Sequence, residues 1–136
     1  MVSINHTYQL LFADDDPGFR ETLRAIFEPH FEMIEARSGE EAIELAGRIS
    51  IDLVLLDMYM EELTGLETLR VIKTIHVEAP CILITGDATT ELEAEATDDG
   101  AYSVLKKPVR KAELVTTVST ALQDAYDDGD YLASLL

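Results

Sequence analysis

Short apolar segments alternate with longer amphipathic segments along most of this chain. The apolar runs predict β-strands, and apolar residues recurring every three or four positions between them predict helices. Strands alternating with helices are typical of a parallel sheet covered by helices on both faces. We therefore predict an α/β fold with a doubly wound, five-stranded parallel sheet. The predicted strands are residues 8–13, 31–36, 52–56, 81–85 and 102–105.

Helix-start signals follow the first three predicted strands. Asp16 precedes Pro17, which is an N-cap followed by a proline at the first helical position. The 88–98 segment is helical by composition but poor in large apolar residues, and the last helix is predicted from Arg110 to about Tyr126. Capping boxes of the form S/T-x-x-E are predicted at Ser38–Glu41 and Thr64–Glu67.

Polar residues with chemical potential stand where the predicted strands end. Three consecutive aspartates, residues 14–16, follow the first strand, and Asp57 follows the third. The fourth strand ends in Thr85, and the fifth runs into Lys107. In open α/β sheets, ligands bind beyond the carboxyl ends of the strands. If the first and third strands are neighbours, at least three carboxylates converge on one crevice.

Carboxylates crowded together resist ionisation unless a cation neutralises them. Oxygen ligands suit Mg²⁺, with Mn²⁺ as an alternative ion. A carboxylate can also attack a phosphoryl group, while a hydroxyl and an ammonium contact the phosphoryl oxygens. The residue types therefore predict phosphoryl transfer to an aspartate, with Thr85 and Lys107 contacting the phosphoryl group.

Four motifs together carry a resemblance to a known family: "ADDDP", "LVLLDMYMEELTGLE", "ILITGDA" and "GAYSVLKKP". In order and spacing, residues 8–126 resemble the receiver domain of two-component response regulators. The resemblance implies strand order 2-1-3-4-5 in a flavodoxin-like three-layer sandwich. It also implies that Asp57 accepts a phosphoryl group from a histidine of a sensor kinase or histidine phosphotransfer protein, with Mg²⁺ required.

The resemblance assigns the remaining site residues by position. Asp15, Asp57 and the backbone carbonyl of Tyr59 would bind the metal, and Asp14 would act through a water. Thr85 and Lys107 would contact the phosphoryl group, and the Lys107–Pro108 peptide is usually cis in this family.

Two positions depart from the family pattern. Glu61 stands where a proline is usual, four residues after Asp57. Val104 replaces the aromatic residue that normally pairs with Thr85 in the switch region. Tyr102 lies two residues before Val104, and strand alternation predicts that it shares a face with Val104.

The net charge of −17 argues against direct binding to nucleic acid or anionic membranes. No apolar run approaches the ~18 residues of a membrane span. The start "MVSINHTYQL" lacks a secretory signal pattern, and Cys81 is the single cysteine. A cytoplasmic location is therefore expected.

The expected function is a phosphorylation-driven signalling module, not an enzyme acting on other substrates. The surface around helices 4 and 5 would change on phosphorylation, and a homodimer through the helix 4–strand 5–helix 5 face is an expected assembly. One alternative is a degenerate receiver that binds a partner without phosphorylation. The other is a haloacid-dehalogenase-like phosphatase, in which Asp14 would be the nucleophile and Asp16 the acid/base.

The predicted domain is residues 1–126, and 127–136 form an acidic tail or the start of a linker. The small apolar face predicted within this tail comprises Tyr131, Leu132, Leu135 and Leu136.

Overall fold

A computed structural model of the chain describes residues 6–136. Its five strands are β1 (Gln9–Ala13), β2 (Glu32–Ala36), β3 (Leu53–Asp57), β4 (Cys81–Thr85) and β5 (Ser103–Lys106). Its five α-helices are α1 (Pro17–Phe27), α2 (Gly39–Ala46), α3 (Gly65–Ile75), α4 (Thr90–Asp98) and α5 (Lys111–Tyr126). A short 3₁₀ helix follows at Ala133–Leu135. Each predicted strand and helix is present, with its ends shifted by no more than a few residues.

The strands form one parallel sheet in the order β2-β1-β3-β4-β5. This confirms the predicted fold class and strand order. Strand β1 pairs with β3, and Ala13 lies opposite Leu56 at the end of the shared ladder. The residues that follow this pair are Asp14 and Asp57, so the pairing carries the two carboxylates to the same edge of the sheet.

Side chains of successive strand residues point to opposite faces, and each face has its own core. Leu10 and Phe12 pack with α1 and α5 on one side, while Leu11 and Ala13 pack with α2, α3 and α4 on the other. The result is the predicted three-layer sandwich. Helix α4 is weakly anchored to the sheet, because within Thr90–Asp98 just one residue, Ala96, is buried and one large apolar residue, Leu92, is half-buried.

Local sequence signals set most helix starts. The Asp16 side chain accepts a hydrogen bond from the amide of Gly18, as predicted for an N-cap. The Thr64–Glu67 capping box is confirmed in both of its hydrogen bonds. The Ser38–Glu41 prediction was half wrong. Ser38 caps the amide of Glu41, but the Glu41 carboxylate accepts from the amide of Arg37, one residue before the cap.

The tail, residues 127–136, folds back onto the domain. It begins at Asp127, whose φ of 53° reverses the chain after α5. Leu132 is fully buried in the core on the α1/α5 side, whereas Leu136 is 70% exposed. The Tyr8 hydroxyl donates to the Asp128 carboxylate at 2.8 Å, and the Tyr131 hydroxyl donates to a backbone carbonyl. These residues pack as part of the domain, and the division at residue 126 stays a prediction.

Among residues 6–136, no helix is long and apolar enough to cross a bilayer.

Gly65 allows α3 to begin directly against the end of β3. Its amide donates to the carbonyl of Met58 at 2.8 Å. A Cβ here would collide with the carbonyl oxygen of Asp57 and would lie 2.7 Å from a methyl of Leu83. We expect Gly65→Ala to lower the free energy of unfolding by about 1–3 kcal/mol, because backbone must shift to admit the methyl. Urea denaturation measures this loss.

The matched control for that substitution is Gly86→Ala. Gly86 is exposed, and a Cβ on it would meet nothing within 4 Å. We expect a change within about 0.5 kcal/mol. Equal effects of the two substitutions would show that the close approach of α3 to β3 is not what requires glycine.

Candidate functional site

The predicted site residues lie at the carboxyl edge of the sheet. Asp14 follows β1, Asp57 is the last residue of β3, and Thr85 is the last residue of β4. Lys107 follows β5, and its peptide bond to Pro108 is cis, as the resemblance implied. The strand order places β3 between β1 and β4, so the three strand ends are adjacent.

Three carboxylates meet at this edge. Asp14, Asp15 and Asp57, called here the acidic trio, each offer an oxygen within 4.8 Å of the other two. Asp14 is 1% exposed and Asp57 6% exposed, whereas Asp15 lies at the surface. Oxygen donors at this spacing fit a small divalent cation, and the exposed Asp15 leaves a route from solvent. The donor set therefore fits Mg²⁺.

Lys107 spans two members of the trio. Its Nζ lies 3.1 Å from a carboxylate oxygen of Asp14 and 3.2 Å from one of Asp57. Burial opposes the lysine charge, but the hydrogen bond and charge of Asp14, joined by those of Asp57, outweigh it and raise the pKa of Lys107. The ammonium also lies 4.5 Å from the ring centroid of Phe19, a cation–π contact.

The surroundings of Asp57 disfavour the negative charge of its carboxylate. Burial and the charge of Asp14 raise the pKa of its carboxyl to about 6, although Lys107 pulls in the opposite direction. One ammonium among three carboxylates leaves two negative charges uncompensated when all are ionised. A dication would supply that charge, which is an independent reason why the site fits one.

Thr85 is fully buried, and its Oγ1 accepts a hydrogen bond from the amide of Asp87 at 3.1 Å. In the β3–β4 register Asp57 lies opposite Ile84, so Thr85 extends one residue beyond Asp57. Tyr59 lies two residues after Asp57, and its side chain is 54% exposed. The roles of Thr85 and of the Tyr59 carbonyl remain predictions, as does the water-mediated role of Asp14.

The prediction for Tyr102 was wrong. Val104 packs against the core on the α2–α4 side, whereas Tyr102 packs against the core on the opposite, α1/α5 side. The reason is that β5 begins at Ser103, so strand alternation does not reach Tyr102. Its hydroxyl instead donates to Asp124 on α5 at 2.6 Å. Tyr102 therefore does not stand in for the aromatic residue that Val104 replaces.

The structure also separates Asp16 from the trio. The Asp16 side chain is exposed and caps α1, while its backbone amide donates to the Asp14 carboxylate at 2.8 Å. A phosphatase of the haloacid-dehalogenase type would need the Asp16 carboxylate as its acid/base. The observed cap gives Asp16 a structural role instead.

Sequence reasoning missed Arg20, which contacts the backbone of the site. Arg20 is 9% exposed, and its Nη1 donates to the carbonyl oxygen of Asp14 at 2.7 Å. A signal was present in the sequence, because Arg20 shares helical spacing with the buried Leu23 and Phe27. A charged residue on the buried stripe of a helix requires a specific partner.

Comparison with known proteins places the chain among signalling domains. The family model described as "Response regulator receiver domain" matches residues 10–119. Chemotaxis protein CheY of Halobacterium salinarum is 33% identical over 115 residues, which is 84% of this chain and 96% of that protein. Transcriptional regulatory protein GlrR of Escherichia coli is 31% identical over 117 residues, which is 85% of this chain. This chain spans only 26% of GlrR.

Among solved structures, the CheX-CheY-BeF3-Mg+2 complex from Borrelia burgdorferi contains a similar chain. The TM-score is 0.79 at 27% identity, covering 85% of this chain and 89% of that one. With the parallel order 2-1-3-4-5 and the acidic trio at its carboxyl edge, these matches settle the family. The chain belongs to the response regulator receiver domains of two-component systems.

Proposed function

We propose that this receiver domain accepts a phosphoryl group on Asp57 from a phosphohistidine of a sensor kinase or a histidine phosphotransfer protein. The observation that carries the proposal is the convergence of the acidic trio with Lys107. The Borrelia complex supports it, because that complex includes BeF3 and Mg+2 together with a similar chain.

The chemistry assigns a task to each side chain. An oxygen of the Asp57 carboxylate attacks phosphorus, a P–O bond forms, and the P–N bond to the donor imidazole breaks, leaving a neutral imidazole after proton uptake. Lys107 forms an ion pair with the transferred group, and the Thr85 hydroxyl donates a hydrogen bond to one of its oxygens. Asp15, Asp57 and the backbone carbonyl of Tyr59 would hold Mg²⁺, with Asp14 acting through a water, and the ion would neutralise charge on the phosphoryl oxygens.

Switching follows from the charge added at Asp57. Thr85 moves toward the phosphoryl group, and the surface around α4, β5 and α5 changes population. The weak anchoring of α4 through Ala96 supports this assignment. Because Val104 is not aromatic, the coupling of Thr85 to an aromatic rotamer that is usual in this family is not expected here. Homodimerisation through this face and a cytoplasmic location belong to the same proposal.

The test is phosphorylation of the purified chain with acetyl phosphate and Mg²⁺, followed by mass spectrometry of the trapped acyl phosphate. We expect modification at Asp57, none without Mg²⁺, and none in Asp57→Asn. The domain catalyses only its own phosphorylation and dephosphorylation, so no turnover of added phosphate esters is expected.

Other results would point to the alternatives. Modification at Asp14 would favour the hypothesis of a haloacid-dehalogenase-like phosphatase. No modification, together with no response to beryllofluoride and Mg²⁺ under conditions that modify other receivers, would favour a degenerate receiver that binds partners without phosphorylation.

A further inference from the structure

Arg20 is a buried cation beneath the end of β1. It is 9% exposed and lies on the stripe of α1 that also buries Leu23 and Phe27. A buried guanidinium is costly unless its N–H groups are bonded and its charge is compensated. The hydrogen-bond partners of Arg20 therefore indicate which part of the structure it stabilises.

Those partners lie just after the end of β1 and on the neighbouring strand β2. Nη1 of Arg20 donates to the carbonyl oxygen of Asp14 at 2.7 Å, and Nε donates to Glu35 on β2 at 2.6 Å. The other carboxylate oxygen of Glu35 accepts from Arg24 at 2.8 Å. Glu35 is thus fixed between two guanidinium groups, and through Arg20 it braces the end of β1.

The brace acts on the peptide that carries the exposed ligand of the trio. The carbonyl of Asp14 belongs to the peptide unit that joins Asp14 to Asp15, so the bond from Arg20 fixes the plane of that unit. The carboxylate of Asp14 is held separately, by the amide of Asp16 and by Lys107. Asp15 lies at the surface, and its backbone nitrogen belongs to the peptide unit whose carbonyl Arg20 holds.

We propose that Arg20, anchored by Glu35, is a positioning residue that directs Asp15 into the acidic trio and so strengthens divalent-cation binding. The inference rests on the proposed function, because it requires that the trio binds a cation. Groups that orient metal ligands without touching the metal typically contribute 10–100-fold to metal affinity or activity.

Charge and position predict opposite effects, which makes the inference testable. The positive guanidinium repels a nearby dication, so removing its charge alone would strengthen Mg²⁺ binding. Removing the brace frees the Asp14–Asp15 peptide and weakens binding, because the loop must then be ordered when the ion binds. The direction of the change in affinity therefore distinguishes the two.

The experiment is isothermal titration of the full chain with MgCl₂. In Arg20→Gln we expect the Kd for Mg²⁺ to rise roughly tenfold. Glu35→Gln keeps the Arg20 charge but loosens its anchor, so a smaller rise is expected. Arg24→Gln is the matched control: it removes a charge from the same helix and a bond to Glu35 but leaves the Asp14 carbonyl bonded, and its Kd should stay within about twofold of wild type.

A second readout separates positioning from general damage. Saturating Mg²⁺ should restore the rate of phosphorylation by acetyl phosphate in Arg20→Gln to near the wild-type rate, whereas a disordered site would not recover. If Arg20→Gln does not fold, Arg20→Lys keeps the charge with fewer N–H donors and should raise the Kd by a smaller factor.

An unchanged or lower Kd in a folded Arg20 variant would overturn the inference while leaving the proposed function intact. Wild-type protein that binds no Mg²⁺ would overturn both.

Discussion

Replacing Asp57 with asparagine should make the metal-free protein more stable, although it removes the proposed phosphoacceptor. Burial and the charge of Asp14 raise the pKa of Asp57 to about 6, so the native fold holds this carboxylate at a cost. A rise of the Asp57 pKa from 3.8 to about 6 corresponds to about 3 kcal/mol of unfolding free energy. We expect Asp57→Asn to raise the free energy of unfolding by about 1–3 kcal/mol at pH 7.5, since the amide still accepts a hydrogen bond from Lys107.

The pH dependence follows from the direction of the shift. Below about pH 4, Asp57 is protonated in both the folded and the unfolded chain, and its charge costs nothing. Between about pH 4 and 6 the unfolded chain releases the proton first, so wild-type stability falls as the pH rises. Above pH 6 the ionised Asp57 carboxylate destabilises the folded state by the full amount. The difference between Asp57→Asn and wild type should therefore be small at pH 4, grow to pH 6 and then stay constant, as measured by urea denaturation.

Magnesium should reduce the stability advantage of Asp57→Asn over wild type. A ligand that binds the native state stabilises it according to its concentration and Kd, so millimolar Mg²⁺ should stabilise wild type more than Asp57→Asn. The control is Asp16→Asn, which removes one charge from the same loop, keeps an N-cap acceptor and lies outside the trio. Its stability should change by no more than about 0.5 kcal/mol. An Asp57→Asn protein less stable than wild type in chelator at pH 7.5 would contradict this account of the site.

The sheet was predictable because each central strand is buried on both faces. Strands β3 and β4 are continuous apolar runs in the sequence, and the structure places β4 at the predicted residues and β3 one residue later. The acidic trio followed from the same pattern, since aspartates that end parallel strands meet at one edge once the strand order is known. That order came from the family resemblance, because alternation alone does not tell which strands are neighbours.

Contacts between distant segments could not be predicted in this way. Tyr102 turns toward Asp124 on α5, and Arg20 reaches Glu35 on β2, although each pair is separated by many residues. Neither contact can be inferred until the packing of the helices and strands is known. The same holds for Glu41, whose reciprocal bond goes to the amide before the cap, a choice that depends on the path of the chain entering α2.

The tail is the clearest case of tertiary packing overriding composition. The run of aspartates after α5 is typical of a linker, yet Leu132 is fully buried in the core on the α1/α5 side. The chain reverses at Asp127, which adopts the left-handed backbone conformation. Aspartate tolerates this conformation, but unlike glycine it does not indicate a reversal in the sequence. Tyr131 then packs against Tyr8 and Phe31 near the amino end of the sheet.

Leu132→Ala should therefore destabilise the domain by about 2–4 kcal/mol, the usual cost of truncating a fully buried leucine. Leu136→Ala is the matched control, because the same truncation at a 70% exposed position should cost no more than about 0.5 kcal/mol. Chemical denaturation of the two variants measures both. If residues 127–136 behaved as a linker in solution, the two substitutions would be equally harmless. A large, specific loss at Leu132 would place the tail inside the cooperative unit and move the boundary of the receiver domain beyond residue 132.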